Sequence, residues 1–236
     1  MDSTALSITY LGPVQWYQKL HRSERVLIEK HESFVKQTYR NRCVIATANG
    51  AQTLSLPTCH RKDITLRSKG DEDSCLSSPF TGTSSSHRGE RGGLPITSTL
   101  VSSHGNWQHQ HWNAIASAYG ESAFFDYYAD DLRPFFSGQW PSLFEFNMAI
   151  TRKMCELLDI CPNIEYTSEY IPAEKLAADG SITDLREAIR PKNPLPDDAF
   201  HPKEYYQVYG RRHGFLPNMS ILDLLLNMGN EAIFYL

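Results

Sequence analysis

The feature that most constrains the fold is the segment 43–57, CVIATANGAQTLSLP, in which two extended runs meet at Asn49-Gly50. A two-residue type I′ turn needs positive φ at both central positions. Asn followed by Gly supplies this at little cost, so the spacing predicts a β-hairpin turned on Asn49 and Gly50. Upstream, residues 7–13 (SITYLGP) form a short β-prone run. VQWYQKLHR follows at 14–22, with Val14, Tyr17 and Leu20 on one helical face and Pro13 suited to the first helical position. RVLI at 25–28 reads as a buried strand. A strand, a helix and a strand in quick succession open an α/β unit.

Beyond the hairpin, the composition shifts. Residues 62–103 are rich in Ser, Gly and charge and have no apolar period, which predicts a disordered insertion in an otherwise single domain spanning 1–236. A helical block is predicted next, over 111–119, 122–136 and 142–160. The last of these has Ser142 and Glu145 in capping-box spacing and an apolar stripe of Leu143, Ile150, Met154 and Leu157. Residues 164–170 read as a returning strand. Residues 179–203, with Pro191, Pro194, Pro196 and Pro202, read as an extended excursion. The tail predicts a helix capped by Ser220 and stopped near Gly229, then a short strand in AIFYL (232–236).

Lys+Arg number 23 against 27 Asp+Glu, a net charge of -4, which argues against a broad basic face for nucleic acid. The five cysteines lack C-x-x-C spacing and read as reduced thiols rather than a disulfide framework or zinc knuckle. No basic-then-apolar leader and no long apolar run are present, so the expected compartment is the cytoplasm, without membrane insertion.

The densest chemistry is Lys36, Tyr39, Arg40, Asn41 and Arg42. Arg offers a planar fork and Lys a mobile charge, so the cluster suits a phosphate or carboxylate; alternatively it protects a strand edge. His104, His109 and His111 lie beside Trp107 and Trp112. No Asp or Glu falls between Ile96 and Tyr119 to complete a metal site, so capping, stacking or acid–base roles fit these histidines better. His111, at a helix start, is the candidate general acid or base. Asn147 interrupts an apolar stripe and must find partners in the core or face a ligand. Asp223, three residues after Ser220, either caps a helix or acts on substrate, with Asn227 one turn later. No nucleophile elbow, dinucleotide fingerprint or phosphate loop occurs. The sequence assigns no metal-ligating residues and leaves the cofactor unknown.

Taken together, TYLGPVQWYQKL, HESFVKQTYRNRCVIATANGAQTLSLP, HGNWQHQHWNAIASAYGESAFFDYYADDLRPFF and FLPNMSILDLLLNMG resemble the WbqC-like protein family. The likeness spans nearly the whole chain outside the Ser/Gly-rich stretch. It departs just before His104, where Ser102-Ser103 stand in place of a shorter, often acidic connection. The resemblance implies a bacterial protein named for a gene of O-antigen clusters. It points to a substrate site made of Gln15, Tyr17, Lys36, Tyr39, Arg40, Asn41, Arg42, Asn147 and Asn227, with His111 and Asp223 as catalytic candidates. The implied partner is a small anionic ligand such as a nucleotide sugar or acyl donor. Two functions follow as expectations: acyl or aminoacyl transfer to a nucleotide-linked amino sugar, or non-catalytic binding in the same pathway.

Overall fold

The structure, a computed structural model, describes residues 3–60 and 95–236. Its centre is a four-stranded, all-parallel sheet in the order β7-β2-β1-β8. The strands are β1 (Ser3–Leu6), β2 (Arg25–Ile28), β7 (Ile164–Tyr166) and β8 (Ile182–Asp184). Helix α1 (Val14–Arg22) links the first two, giving the expected strand–helix–strand opening. The first strand lies earlier than the sequence suggests. Residues 3–6 pair with β2, whereas 7–13 run as loop, with Leu11 at a positive φ of 45°. Strand β8 sits inside the proline-rich excursion, pairing Ser3↔Ile182 through Ala5↔Asp184.

Period-2 alternation sets the two faces of the sheet. Leu6, Val26 and Ile28 join the main core, while Ala5 and Leu27 pack with Leu176 of α5 (Ala173–Asp179) on the other face. The main core also takes in α2 (Trp107–Tyr119), α3 (Phe125–Leu132) and α4 (Leu143–Leu157). Ser142 caps α4, accepting from the Glu145 N–H at 3.3 Å. Short helix α6 (Gly210–His213) precedes α7 (Ile221–Met228), which packs against α1, α2 and α3. Every residue from Ile221 to Asn227 is buried, so α7 is a core helix. Its N-terminus is a junction. The Ser220 N–H donates to the Val44 carbonyl at 2.7 Å, the Ser220 hydroxyl to Leu11 at 2.8 Å, and the Ile221 N–H to Gly12 at 2.9 Å. The tail after α7 is a 3-10 turn (Gly229–Tyr235), not a strand, and among the described residues no sheet edge pairs with it.

Strands β3 (Arg42–Thr47) and β4 (Gly50–Ser55) form an antiparallel pair, but its turn differs from the expected type I′. Thr47 pairs with Gly50, so the turn residues are Ala48 and Asn49. Gly50 has φ 96°, whereas Asn49 is not among the residues with positive φ. The glycine thus relieves the first position of the returning strand rather than the second position of a mirror-image turn. The predicted disorder of 62–103 falls, up to residue 94, outside the described residues. Residues 96–98 form a 3-10 turn, and β6 (Thr99–Val101) pairs with β5 (Thr58–His60). A fully buried Ile96 anchors this part, its N–H donating to the Glu32 carbonyl at 2.8 Å. Among the described residues, no helix is long and apolar enough to cross a membrane.

Candidate functional site

Parallel sheets bind ligands beyond the carboxyl ends of their strands, and here that edge holds a buried charge network. The residues that follow the strands are Ser7 after β1, Glu29 after β2, Thr167 after β7, and Leu185-Arg186-Glu187 after β8. Glu29 is saturated. Its Oε1 accepts from Thr167 Oγ1 at 2.7 Å and His31 N at 2.8 Å, and its Oε2 from Ile171 N at 3.1 Å and Arg186 Nη1 at 3.2 Å. Arg186 also grips Asp184 bidentately, Nε at 2.8 Å and Nη2 at 2.6 Å. Those Asp184 bonds, opposed by burial, hold the Arg186 pKa above its usual value.

Arg40 enters the same edge from the loop before β3. Its Nε and Nη2 clasp Glu32 at 2.9 and 2.5 Å, and Nη2 also reaches Ser7 Oγ at 2.8 Å and Glu187 Oε1 at 3.1 Å. Burial opposes the guanidinium charge, but Glu32 and Glu187 outweigh it and raise the Arg40 pKa. The Arg40 fork is therefore already filled by a carboxylate of the protein itself. A cavity of about 220 Å³ opens here, lined by Glu32, Arg40, Tyr170, Asp184, Arg186 and Glu187 among others. Glu32 and Arg40 are buried, while the Glu187 side chain is 60% exposed, making it the carboxylate an incoming molecule meets. Counting Glu29, Glu32, Asp184 and Glu187 against Arg40 and Arg186, the site carries a formal charge of -2. Such a site favours a cationic or hydrogen-bond-donating group over a phosphate.

The other expected site residues are placed elsewhere. Lys36 is exposed, one residue beyond the cavity-lining Val35. Tyr39 is buried, which lifts its phenol to about 12. Asn41 is buried, its Nδ2 bonded to the Leu56 carbonyl at 3.1 Å, and Arg42 begins β3. Asn147 lies fully inside the core and donates from Nδ2 to the Arg40 carbonyl at 2.7 Å, so it positions the backbone of the arginine. Gln15, in the first turn of α1, binds Asp197 and Asn218 beside a 2.7 Å Lys19–Asp197 ion pair. Tyr17 is fully buried.

His111 is buried, between Tyr10 and Trp107. Tyr10 Oη lies 2.8 Å from its Nδ1, and the Trp107 ring packs edge-on at 5.4 Å. Burial lowers its pKa to about 4, with the Ser55 carbonyl opposing. Asp223 is fully buried, accepting from Tyr205 Oη at 2.7 Å and Gln207 Nε2 at 2.6 Å. Burial raises its pKa despite those bonds. Asn227 donates to the Asp223 carbonyl at 2.7 Å. Neither His111 nor Asp223 lines the sheet-edge cavity, and Asn227 lines a separate one. Arg40 alone carries the expected set onto that edge.

The residues that build the edge and were not anticipated are Ser7, Glu29, Glu32, Thr167, Asp184, Arg186 and Glu187. One signal was available: the acids of EKHE follow directly on the strand RVLI. Among the described residues, no group of three or more His, Cys, Asp or Glu is arranged to hold a metal ion.

The chain matches the profile of the WbqC-like protein family over residues 9–73 and 85–193. It is also similar to the uncharacterized protein Rv1507c of Mycobacterium tuberculosis (strain ATCC 25618 / H37Rv). The two are 24% identical over 234 residues, covering 90% of this chain and 87% of that protein. No solved structure matches.

Proposed function

The chain belongs to the WbqC-like protein family, and from that premise we propose that it is a cytoplasmic transferase of bacterial surface-polysaccharide (O-antigen) assembly. It moves an acyl or aminoacyl group onto the amine of a nucleotide-linked amino sugar. The observation that carries this reading is the acid-rich cavity at the carboxyl ends of the parallel strands, with Glu187 open above the buried Arg40–Glu32 pair. The acceptor amine docks against Glu187 and attacks the acyl carbonyl carbon. The C–N bond forms, the bond from the carbonyl to its leaving group breaks, and the amine proton passes through Glu187 to that leaving group. Lys36 meets the anionic part of the nucleotide or donor outside the cavity. Asn147 holds the Arg40 carbonyl, and His111, Asp223, Gln15, Tyr17, Tyr39, Asn41, Arg42 and Asn227 lie outside this cavity.

Arg40→Ala is a poor probe, because it strands Glu32 as an uncompensated buried charge at a cost of about 3–5 kcal/mol. Glu187→Gln is the better one, since its side chain is mostly exposed. Incubating the protein with UDP-linked amino sugars and a panel of acyl and aminoacyl donors, then weighing the products, tests the reading. The expected outcome is an acylated sugar nucleotide whose formation falls by roughly 10²–10⁴-fold in Glu187→Gln. No product from any donor, or an unaffected variant, rejects it.

A second reading, a non-catalytic binding protein of the same pathway, draws on the saturation of Glu29 and the self-filled Arg40 fork, features of a rigid joint. Binding without turnover separates the two.

A further inference from the structure

On a different part of the molecule, a cavity of about 630 Å³ lies between the start of α3 and the turn that follows α7. Its lining is Phe124, Tyr127, Tyr128, Tyr206, Asn227, Met228, Asn230 and Glu231. None of these residues belongs to the sheet-edge cavity. The volume falls within the range of small-molecule sites, about 300–1,000 Å³.

Two tyrosine rings are presented to solvent here, Tyr127 at 72% exposure and Tyr206 at 63%. Tyr127 is held edge-on against Tyr128, ring centroids 4.8 Å apart at 89°. The Tyr128 hydroxyl donates to Asn230 Oδ1 at 3.1 Å, which orients that amide and leaves its Nδ2 without a protein partner among the described residues. Asn227 is buried, its Nδ2 committed to Asp223, while its Oδ1, closed off from the cavity, has no partner among the described residues. Gly229 shapes the floor: at φ 58°, a Cβ on it would meet the Phe124 ring at 2.6 Å, so only glycine lets that ring lie where it does.

The lining therefore combines flat aromatic surfaces with one unpaired amide donor, Asn230 Nδ2, and one carboxylate, Glu231. No Lys or Arg is present in it, which disfavours a phosphate or any other anion. Aromatic faces beside amides and a carboxylate suit a ring with apolar C–H faces and an equatorial rim of hydroxyl or amino groups. We infer that this cavity is a binding site for an uncharged or amine-bearing pyranose, stacked on Tyr127 and Tyr206 and hydrogen-bonded by Asn230 and Glu231. The site stands whether or not transfer occurs at the sheet edge.

Saturation-transfer NMR on the full chain tests it, with glucosamine, N-acetylglucosamine and methyl glucoside as probes and glucose 1-phosphate as the anionic control. Expected is transfer concentrated on the ring C–H protons of at least one neutral or amino sugar, and none to the phosphate. In Tyr127→Ala the affinity should fall by roughly fivefold, as loss of one aromatic contact predicts. The exposure of Tyr127 keeps the variant folded, which a melting curve checks. No transfer from any sugar, a signal indifferent to both Tyr127→Ala and Tyr206→Ala, or preference for the phosphate overturns the proposal. So does a self-associating protein that Tyr127→Ala turns into a monomer without any sugar response, since the patch would then face a second copy.

Discussion

At the scale of single residues, His111 illustrates how burial decides chemistry. Its folded pKa of about 4 lies below the ordinary 6.5. Above pH 6.5 the ring is neutral whether the chain is folded or unfolded. Between 6.5 and about 4 only the unfolded chain takes up the proton, so stability falls as the pH drops through that window, by up to about 3 kcal/mol. Urea unfolding at pH 7 and pH 4.5 measures the effect. His111→Gln, which keeps an acceptor for Tyr10, should lose distinctly less stability over the same interval; equal losses would mean that the imidazole titrates normally in the fold. The density of donors at 36–42 draws attention to Arg40 but not to what it meets. Glu32 is eight positions away and Glu187 sits across the sheet, and no local spacing announces a pairing created by parallel strands.

At the scale of elements, local chemistry was most legible where it acts alone. Helix α1, strand β2, the Ser142 cap and the Ser220 cap all declare themselves within a few residues, through period and capping side chains. Strand β1, STAL, has no alternation to read, and β8 offers only three residues beside a proline-rich stretch; both exist because the sheet recruits them. The β3–β4 turn shows the limit of dipeptide rules. Asn-Gly promised a mirror-image turn, but the register puts Gly50 in the strand and Asn49 in ordinary backbone. Gly50→Ala should therefore cost about 1–2 kcal/mol, since no neighbour crowds the new methyl and only the left-handed φ resists it. Asn49→Ala should stay within about 0.5 kcal/mol. Comparable losses from both, read from denaturation midpoints, would restore the type I′ turn.

At the scale of the whole molecule, one large core joins both ends of the chain, from Leu6 to Leu236. A single cooperative transition is expected on that ground. Far-ultraviolet circular dichroism, which follows the backbone, and tryptophan fluorescence, which follows Trp16, Trp107, Trp112 and Trp140, should therefore give superimposable urea curves. Two resolved midpoints would divide the chain into separate folding units. The junction at Ser220 carries a further consequence for how the protein is made. Leu11, Gly12 and Val44 offer carbonyls whose partners lie at 220 and 221, and β1 waits for β8 at 182–184 to cover its second edge. A ribosome delivers the amino-terminal half of this protein long before those partners emerge. The nascent chain must carry an open strand edge and an unclosed core through most of its own synthesis, so the interval before residue 221 appears is when it most needs a chaperone.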